Sequence, residues 1–156
     1  MTTELTPQRV NLITLGVADL NRARAFYAAL GWRPIDSPPE VAFYRMHGMA
    51  LGLFGLADLA ADQGRADARL GTGAMTLAQN FPDRAGVDAA FALALRSGAS
   101  ELKQPEAVFW GGYSGYYADP DGHVWELAHN PFWVVNDDGS LTIPEASPDA
   151  GAASAE

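Results

Sequence analysis

One pattern occurs twice along the chain, and that repeat limits the fold more than any single motif does. In the first copy, Val10–Val17 alternates as a strand, with Ile13, Leu15 and Val17 on one face and Leu12, Thr14 and Gly16 on the other. Asp19 stands where a helix N-cap belongs, and the helix behind it carries Leu20, Ala23, Phe26, Tyr27 and Leu30 along one stripe. Gly31 ends it. Trp32–Ile35 is expected to be a short strand stopped by Pro38 and Pro39, and Val41–Met46 and Met49–Phe54 a hairpin around His47-Gly48. The second copy runs the same way. Ala74–Asn80 is a strand, Asp83 caps a helix bearing Val87, Phe91, Ala94 and Leu95, and Gly98 closes it. Ser100–Lys103 is a strand that Gln104-Pro105 should break, and a last hairpin follows. Each copy therefore reads βαβββ, which makes the chain α+β.

The expected organisation is a flexible N-terminus over 1–9 and one domain over 10–134, with modules 10–56 and 73–134. A mostly disordered tail is expected over 135–156. Between the modules, Leu56–Gly73 is rich in Ala, Asp and Gly and is expected to carry one turn of helix near Ala57–Asp62.

The richest stretch is Trp110–Pro131, WGGYSGYYADPDGHVWELAHNP. Gly115–Ala118 and Val124–Ala128 are strand-like, and Asp119-Pro120-Asp121-Gly122 joins them with a proline pre-set for a turn and a glycine free to take positive φ. The second strand holds Glu126 amid Val124, Trp125, Leu127 and Ala128. A carboxylate there leans to solvent, pairs, binds a metal, or works on a substrate. Gly111-Gly112 suggests a loop where backbone approaches closely or moves.

Composition narrows the function classes. The net charge of −9 and only ten scattered Lys and Arg argue against nucleic acid. An acidic surface favours cationic ligands over anionic ones. With no cysteine there are no disulfides, thiolate nucleophiles or zinc-thiolate sites. MTTELTPQRV lacks the pattern of a signal peptide, and no apolar run approaches the ~20 residues of a membrane span. A cytoplasmic protein with no membrane partner is the expectation.

The DPDGHVWELAHNP segment, placed after a matching first half, resembles the end of a vicinal oxygen chelate protein. That superfamily includes glyoxalase I, extradiol dioxygenases and bleomycin resistance proteins. The resemblance implies paired βαβββ modules whose cupped mixed sheet encloses a site. It also implies a homodimer, since such modules commonly cover open sheet edges by pairing. Metal-dependent members usually supply one ligand from the first and one from the last strand of each module. Those positions fall at Leu12, Ala74, Gly52 (Leu51 if the register slips) and Glu126, and only Glu126 can coordinate a metal. No metal and no cofactor are expected.

Glu126 is thus the candidate catalytic residue. The candidate ligand-binding residues are Leu12, Thr14, Ala74, Thr76 and Ala78 in the cleft, with Trp110, Tyr113 and Tyr116 at its rim. His47 and His123 belong to exposed turns, and alternation turns His129 away from Glu126. The function expected is binding of a small organic molecule without metal. The alternative is a lyase, isomerase or dioxygenase of the same superfamily using Glu126 as general base or as a remaining metal ligand.

Overall fold

Two aspartates start the two long helices. A computed structural model describes residues 5–145. In it the Asp19 carboxylate accepts the Arg22 N–H at 3.0 Å, and the Asp83 carboxylate accepts the Gly86 N–H at 2.7 Å. These caps open α1 (Leu20–Ala29) and α3 (Arg84–Arg96), and Gly31 and Gly98 follow the two helices with φ of 95° and 109°. The other elements are β1 (Leu12–Val17), β2 (Val41–Arg45), β3 (Ala50–Gly55), α2 (Leu56–Asp62), β4 (Thr76–Asn80) and β5 (Ser100–Ala107). The chain then completes β6 (Tyr113–Ala118), β7 (Val124–His129), β8 (Val134–Val135) and β9 (Leu141–Thr142).

The repeat is visible in the sheets. One has the order β1-β3-β2 and the other β4-β7-β6-β5, each with its first strand parallel to its last. Among the described residues β5 has no counterpart in the first module. Trp32–Ile35, expected as a strand, does not form one. The Trp32 N–H is used to close α1 on the Tyr27 carbonyl, Pro34 has no N–H, and only Ile35 donates to β2, at the Phe43 carbonyl, 2.8 Å. In the second module the opposite correction applies: β5 runs through Pro105 instead of stopping before it. It is an edge strand, interrupted by register shifts, and Gly115 opposite leaves the proline room.

A single core draws on both modules. Leu15, Val17, Phe26, Tyr27 and Leu53 pack with Val87, Phe91, Tyr117, Trp125 and Leu127. Tyr27 stacks on Trp32 at 5.1 Å between centroids and meets Trp125 edge-on at 6.1 Å.

The Asp119–Gly122 turn does more than join two strands. Asp119 is buried; one carboxylate oxygen accepts the N–H groups of Asp121 and His123, both at 2.9 Å, and the other accepts the Tyr27 hydroxyl. The Trp125 indole N–H donates to that same hydroxyl at 3.1 Å. Asp121 reaches back to the start of α1, where it accepts the Ala18 N–H at 2.8 Å and Arg22 Nη2 at 2.9 Å. The turn of the second module thereby grips the helix of the first.

The expected domain end at residue 134 falls inside a structured element. Val134–Val135 pairs with Leu141–Thr142, and Asn136 ties the hairpin by donating to Ser140 Oγ and Thr142 Oγ1 at 3.0 and 2.9 Å. Sequence reading took the Asp-Asp-Gly-Ser run as tail, whereas it is the hairpin's turn, with Gly139 at φ 88°. The remainder of the expected disordered tail, from residue 146, lies outside the described residues, as do residues 1–4 of the expected flexible N-terminus.

Candidate functional site

Strand registers set the equivalent rows of the two modules. In the first, Thr14, Gly52 and Phe43 lie side by side across β1, β3 and β2. In the second, Ala78, Glu126 and Tyr116 lie side by side across β4, β7 and β6. Gly52 is therefore the counterpart of Glu126, as expected. Leu12 corresponds to Thr76, and not to Ala74, which precedes β4. A Cβ on Gly52 would come within 3.3 Å of the Thr14 hydroxyl and of the Phe43 ring, so the neighbours occupy the space a ligating side chain would need.

Glu126 is half-buried and accepts the Tyr116 hydroxyl at 2.9 Å. Burial, then the hydrogen bond and charge of Glu126, push the Tyr116 pKa up, so the phenol stays a donor and orients the carboxylate. The other predicted residues are distributed differently. Two cavities are lined by residues of β1 and β4, the first strands of the two modules. Thr14 and Ala74 line the first, of about 570 Å³, whose walls include Leu56 and Leu59 of α2 and Leu70 of the connector. Thr76 and Ala78 line the second, of about 560 Å³, with Ile13, Trp32, Met46 and Trp125; Val135 and Leu141 of the β8–β9 hairpin close it. Glu126 and Tyr116 line neither, nor does Leu12, which is 45% exposed.

The two remaining rim residues are not at the rim of these cavities. The Trp110 ring lies on Gly112, which leaves no room there for a Cβ. Tyr113 faces α3, where its hydroxyl donates to Asp88 Oδ1 at 2.6 Å and its ring sits 5.1 Å from the Arg84 guanidinium. It pairs with His129 across the sheet, three positions along β6 from the Tyr116–Glu126 pair, so alternation sends it to the other face.

None of the three histidines is hydrogen-bonded to Glu126. His129 Nδ1 is bonded to the Phe81 carbonyl at 3.0 Å, and His47 lies 3.8 Å from the Asp138 carboxylate. His123, expected to be an exposed turn residue, is half-buried and donates from Nε2 to the Gly16 carbonyl at 2.7 Å beside the first cavity. No group of three His, Asp or Glu able to hold a metal occurs among the described residues. Thr76, in place of Ala74, adds one hydroxyl and does not complete a ligand set.

Sequence reading missed the connector's part in the first cavity. Arg65, Arg69, Leu70 and Thr72 all line it. The signal was Leu56, Leu59 and Leu70 standing among Ala, Asp and Gly, with two arginines four residues apart. In the second cavity the unanticipated residues include Trp32, Met46 and Met49.

Comparisons with known proteins agree with this architecture. A model of the glyoxalase/bleomycin resistance protein/dioxygenase superfamily matches residues 9–127. The chain is similar to a glyoxalase-related enzyme from Fulvimarina pelagi, at 37% identity and a TM-score of 0.83, over 89% of this chain and 100% of that one. It also superposes on a glyoxalase/bleomycin resistance protein/dioxygenase family enzyme from Burkholderia phytofirmans, at 18% identity and TM-score 0.67, over 76% and 96% of the two chains. A lactoylglutathione lyase from Agrobacterium tumefaciens gives 24% identity and TM-score 0.62, over 82% and 98%. No curated protein matches the chain. The family match covers most of the chain, and the paired modules follow the same plan. The chain belongs to the glyoxalase/bleomycin resistance protein/dioxygenase superfamily.

Proposed function

We propose that the protein binds a small organic molecule in a cleft along β1 and β4, without a resident metal. The observation that carries this is the pair of cavities lined by those two strands, about 570 and 560 Å³, within the roughly 300–1,000 Å³ of small-molecule sites. Thr14, Ala74, Thr76 and Ala78 are the ligand-facing residues of this reading. Ligand-observed NMR with a library of drug-sized compounds tests it, using Ala74→Trp to fill the first cavity and Ala78→Trp to fill the second. Each true ligand should lose binding in one variant. Hits that survive in both, or an absence of hits, would remove the proposal.

A second reading, an enzyme of the superfamily, rests on the Tyr116–Glu126 hydrogen bond. A carboxylate held by a protonated phenol on a strand is positioned to take or return a proton. The similarity to a glyoxalase-related enzyme supports it. The pair lines neither cavity, so this reading places the substrate on the sheet face beside Tyr116 and Glu126. For a compound that is turned over, Glu126→Gln should abolish turnover while changing its Kd less than about threefold, and equal turnover in both proteins would discard this role. The residues present do not fit a divalent ion, so no step is assigned to one.

The partner in this reading is a small molecule together with a second copy of the chain, in a cytoplasmic setting, with neither nucleic acid nor membrane involved. No helix among the described residues is long and apolar enough to cross a membrane. β2 and β5 are sheet edges that line neither cavity, and pairing with a second copy would cover them. Light scattering coupled to size exclusion should then give twice the chain mass of 16.6 kDa. A mass of one chain would exclude the dimer.

A further inference from the structure

The first cavity has a charge opposite to that of the chain. The protein carries nineteen acidic residues against ten basic ones, yet the residues lining this cavity include Arg65 and Arg69 and no aspartate or glutamate. The connector has acids to offer, but Asp58, Asp62 and Asp67 are not among the lining residues. Asp58 instead turns back towards Gly55, where a Cβ would meet its carboxylate at 3.3 Å.

The backbone fixes where the arginines stand. The Arg65 N–H closes α2 on the Ala60 carbonyl at 2.8 Å, and the Arg65 carbonyl accepts the Ala68 N–H at 2.8 Å, folding the chain back so that Arg69 reaches the same cavity. Neither arginine forms an ion pair among the described residues. Arg65 donates from Nε and Nη2 to the neutral amide oxygen of Gln63, at 3.0 and 2.6 Å, which orients the guanidinium and leaves Nη1 for another acceptor. Gln63, Thr72 and Thr14 add neutral polar groups, while Leu56, Leu59 and Leu70 supply apolar wall. A guanidinium without a carboxylate partner, beside an apolar wall, matches planar anionic oxygens carried on an organic body.

We propose that this cavity binds an organic molecule bearing a carboxylate or phosphate group, with Arg65 and Arg69 on the anion and the leucines on the carbon skeleton. The inference deepens the small-molecule reading and rests on it. It also reverses the ligand charge that net composition suggests, because a ligand meets the local lining and not the chain average.

The test uses the full chain, with phenyl phosphate and benzoate as charged probes and benzyl alcohol as the neutral one. Backbone amide shifts of Thr14, Leu70, Gly71 and Thr72 report on the cavity. At least one charged probe should bind there with a Kd ten or more times lower than benzyl alcohol, and which one does so distinguishes phosphate from carboxylate. The double variant Arg65→Gln/Arg69→Gln should lose at least tenfold for that probe and less than twofold for the alcohol. Arg65→Lys/Arg69→Lys should recover most of the loss. Both arginines are exposed, so a matching thermal melt will show these variants folded. Equal Kd values for all three probes, or a glutamine variant that binds like the parent, would overturn the anion assignment while leaving small-molecule binding in place. If no probe perturbs these amides and library hits are lost only in Ala78→Trp, the ligand belongs to the second cavity and the assignment falls.

Discussion

The Tyr27 hydroxyl donates to Asp119 Oδ2 at 2.7 Å, so the first module's helix is hydrogen-bonded to the second module's turn. The remaining Asp119 oxygen holds two backbone amides of that turn. A buried carboxylate with three donors is fully satisfied, and each donor depends on it.

Asp119→Ala should therefore cost about 3–5 kcal/mol, since it leaves the donors around a buried site without their charged partner. Asp119→Asn keeps the shape and an acceptor for the amides, and should cost about half as much. Urea unfolding measures both. A loss below about 1 kcal/mol for the alanine variant would show that the carboxylate does not tie the modules together.

Stability should fall in alkali. Burial first, and then the Asp119 charge, push the Tyr27 and Tyr117 hydroxyls well above the usual tyrosine range. The unfolded chain releases these protons near pH 10 while the fold retains them, so stability is lost as pH rises past about 10, by about 1.4 kcal/mol per unit for each such tyrosine. Tyr117→Phe should make the slope shallower by about one tyrosine's share. An unchanged slope would place Tyr117 outside this linkage.

Gly115→Ala should destabilise by about 2 kcal/mol, because its Cβ would stand 2.8 Å from the Pro105 backbone nitrogen in the neighbouring strand. Gly71→Ala is the control, with nothing within 4 Å of the added carbon, and should stay within about 0.5 kcal/mol. Thermal melts of the pair decide it; equal values would mean that β5 shifts freely at Pro105.

Incubation with zinc, nickel, iron or manganese followed by desalting should leave far less than one ion per chain, as Glu126 is the sole carboxylate at the four superfamily ligand positions. Elemental analysis near one ion per chain would reinstate a metal centre.

The helices were legible because each advertises both ends, with Asp19 and Gly31 for one and Asp83 and Gly98 for the other. The β6–β7 hairpin was legible from its turn. What stayed hidden was long-range. Asp119 and Asp121 read as ordinary turn aspartates, since nothing local reveals that their partners lie near residues 18–27. Tyr113 was placed by proximity in sequence, although strand alternation already separates it from Tyr116. The connector was discounted because an Ala-, Asp- and Gly-rich run has no period to read, and its arginines gain meaning only after Arg65 turns the chain back. The tail hairpin was lost for the same reason: a two-residue strand such as Leu141–Thr142 is too short to show alternation.

The core shared by the two modules bears on how a duplicated chain comes apart. In arrays whose repeats merely abut, one unit can melt while its neighbour persists. Here the rings of Tyr27 and Trp32 from one half and Trp125 from the other all touch one another, so neither half has a complete interior alone. Unfolding is expected to be one cooperative transition, with the most protected amides of β3 and β7 exchanging together. Selection would then act on the two halves as one unit, so that a substitution around Trp125 is tolerated or rejected according to residues about a hundred positions earlier.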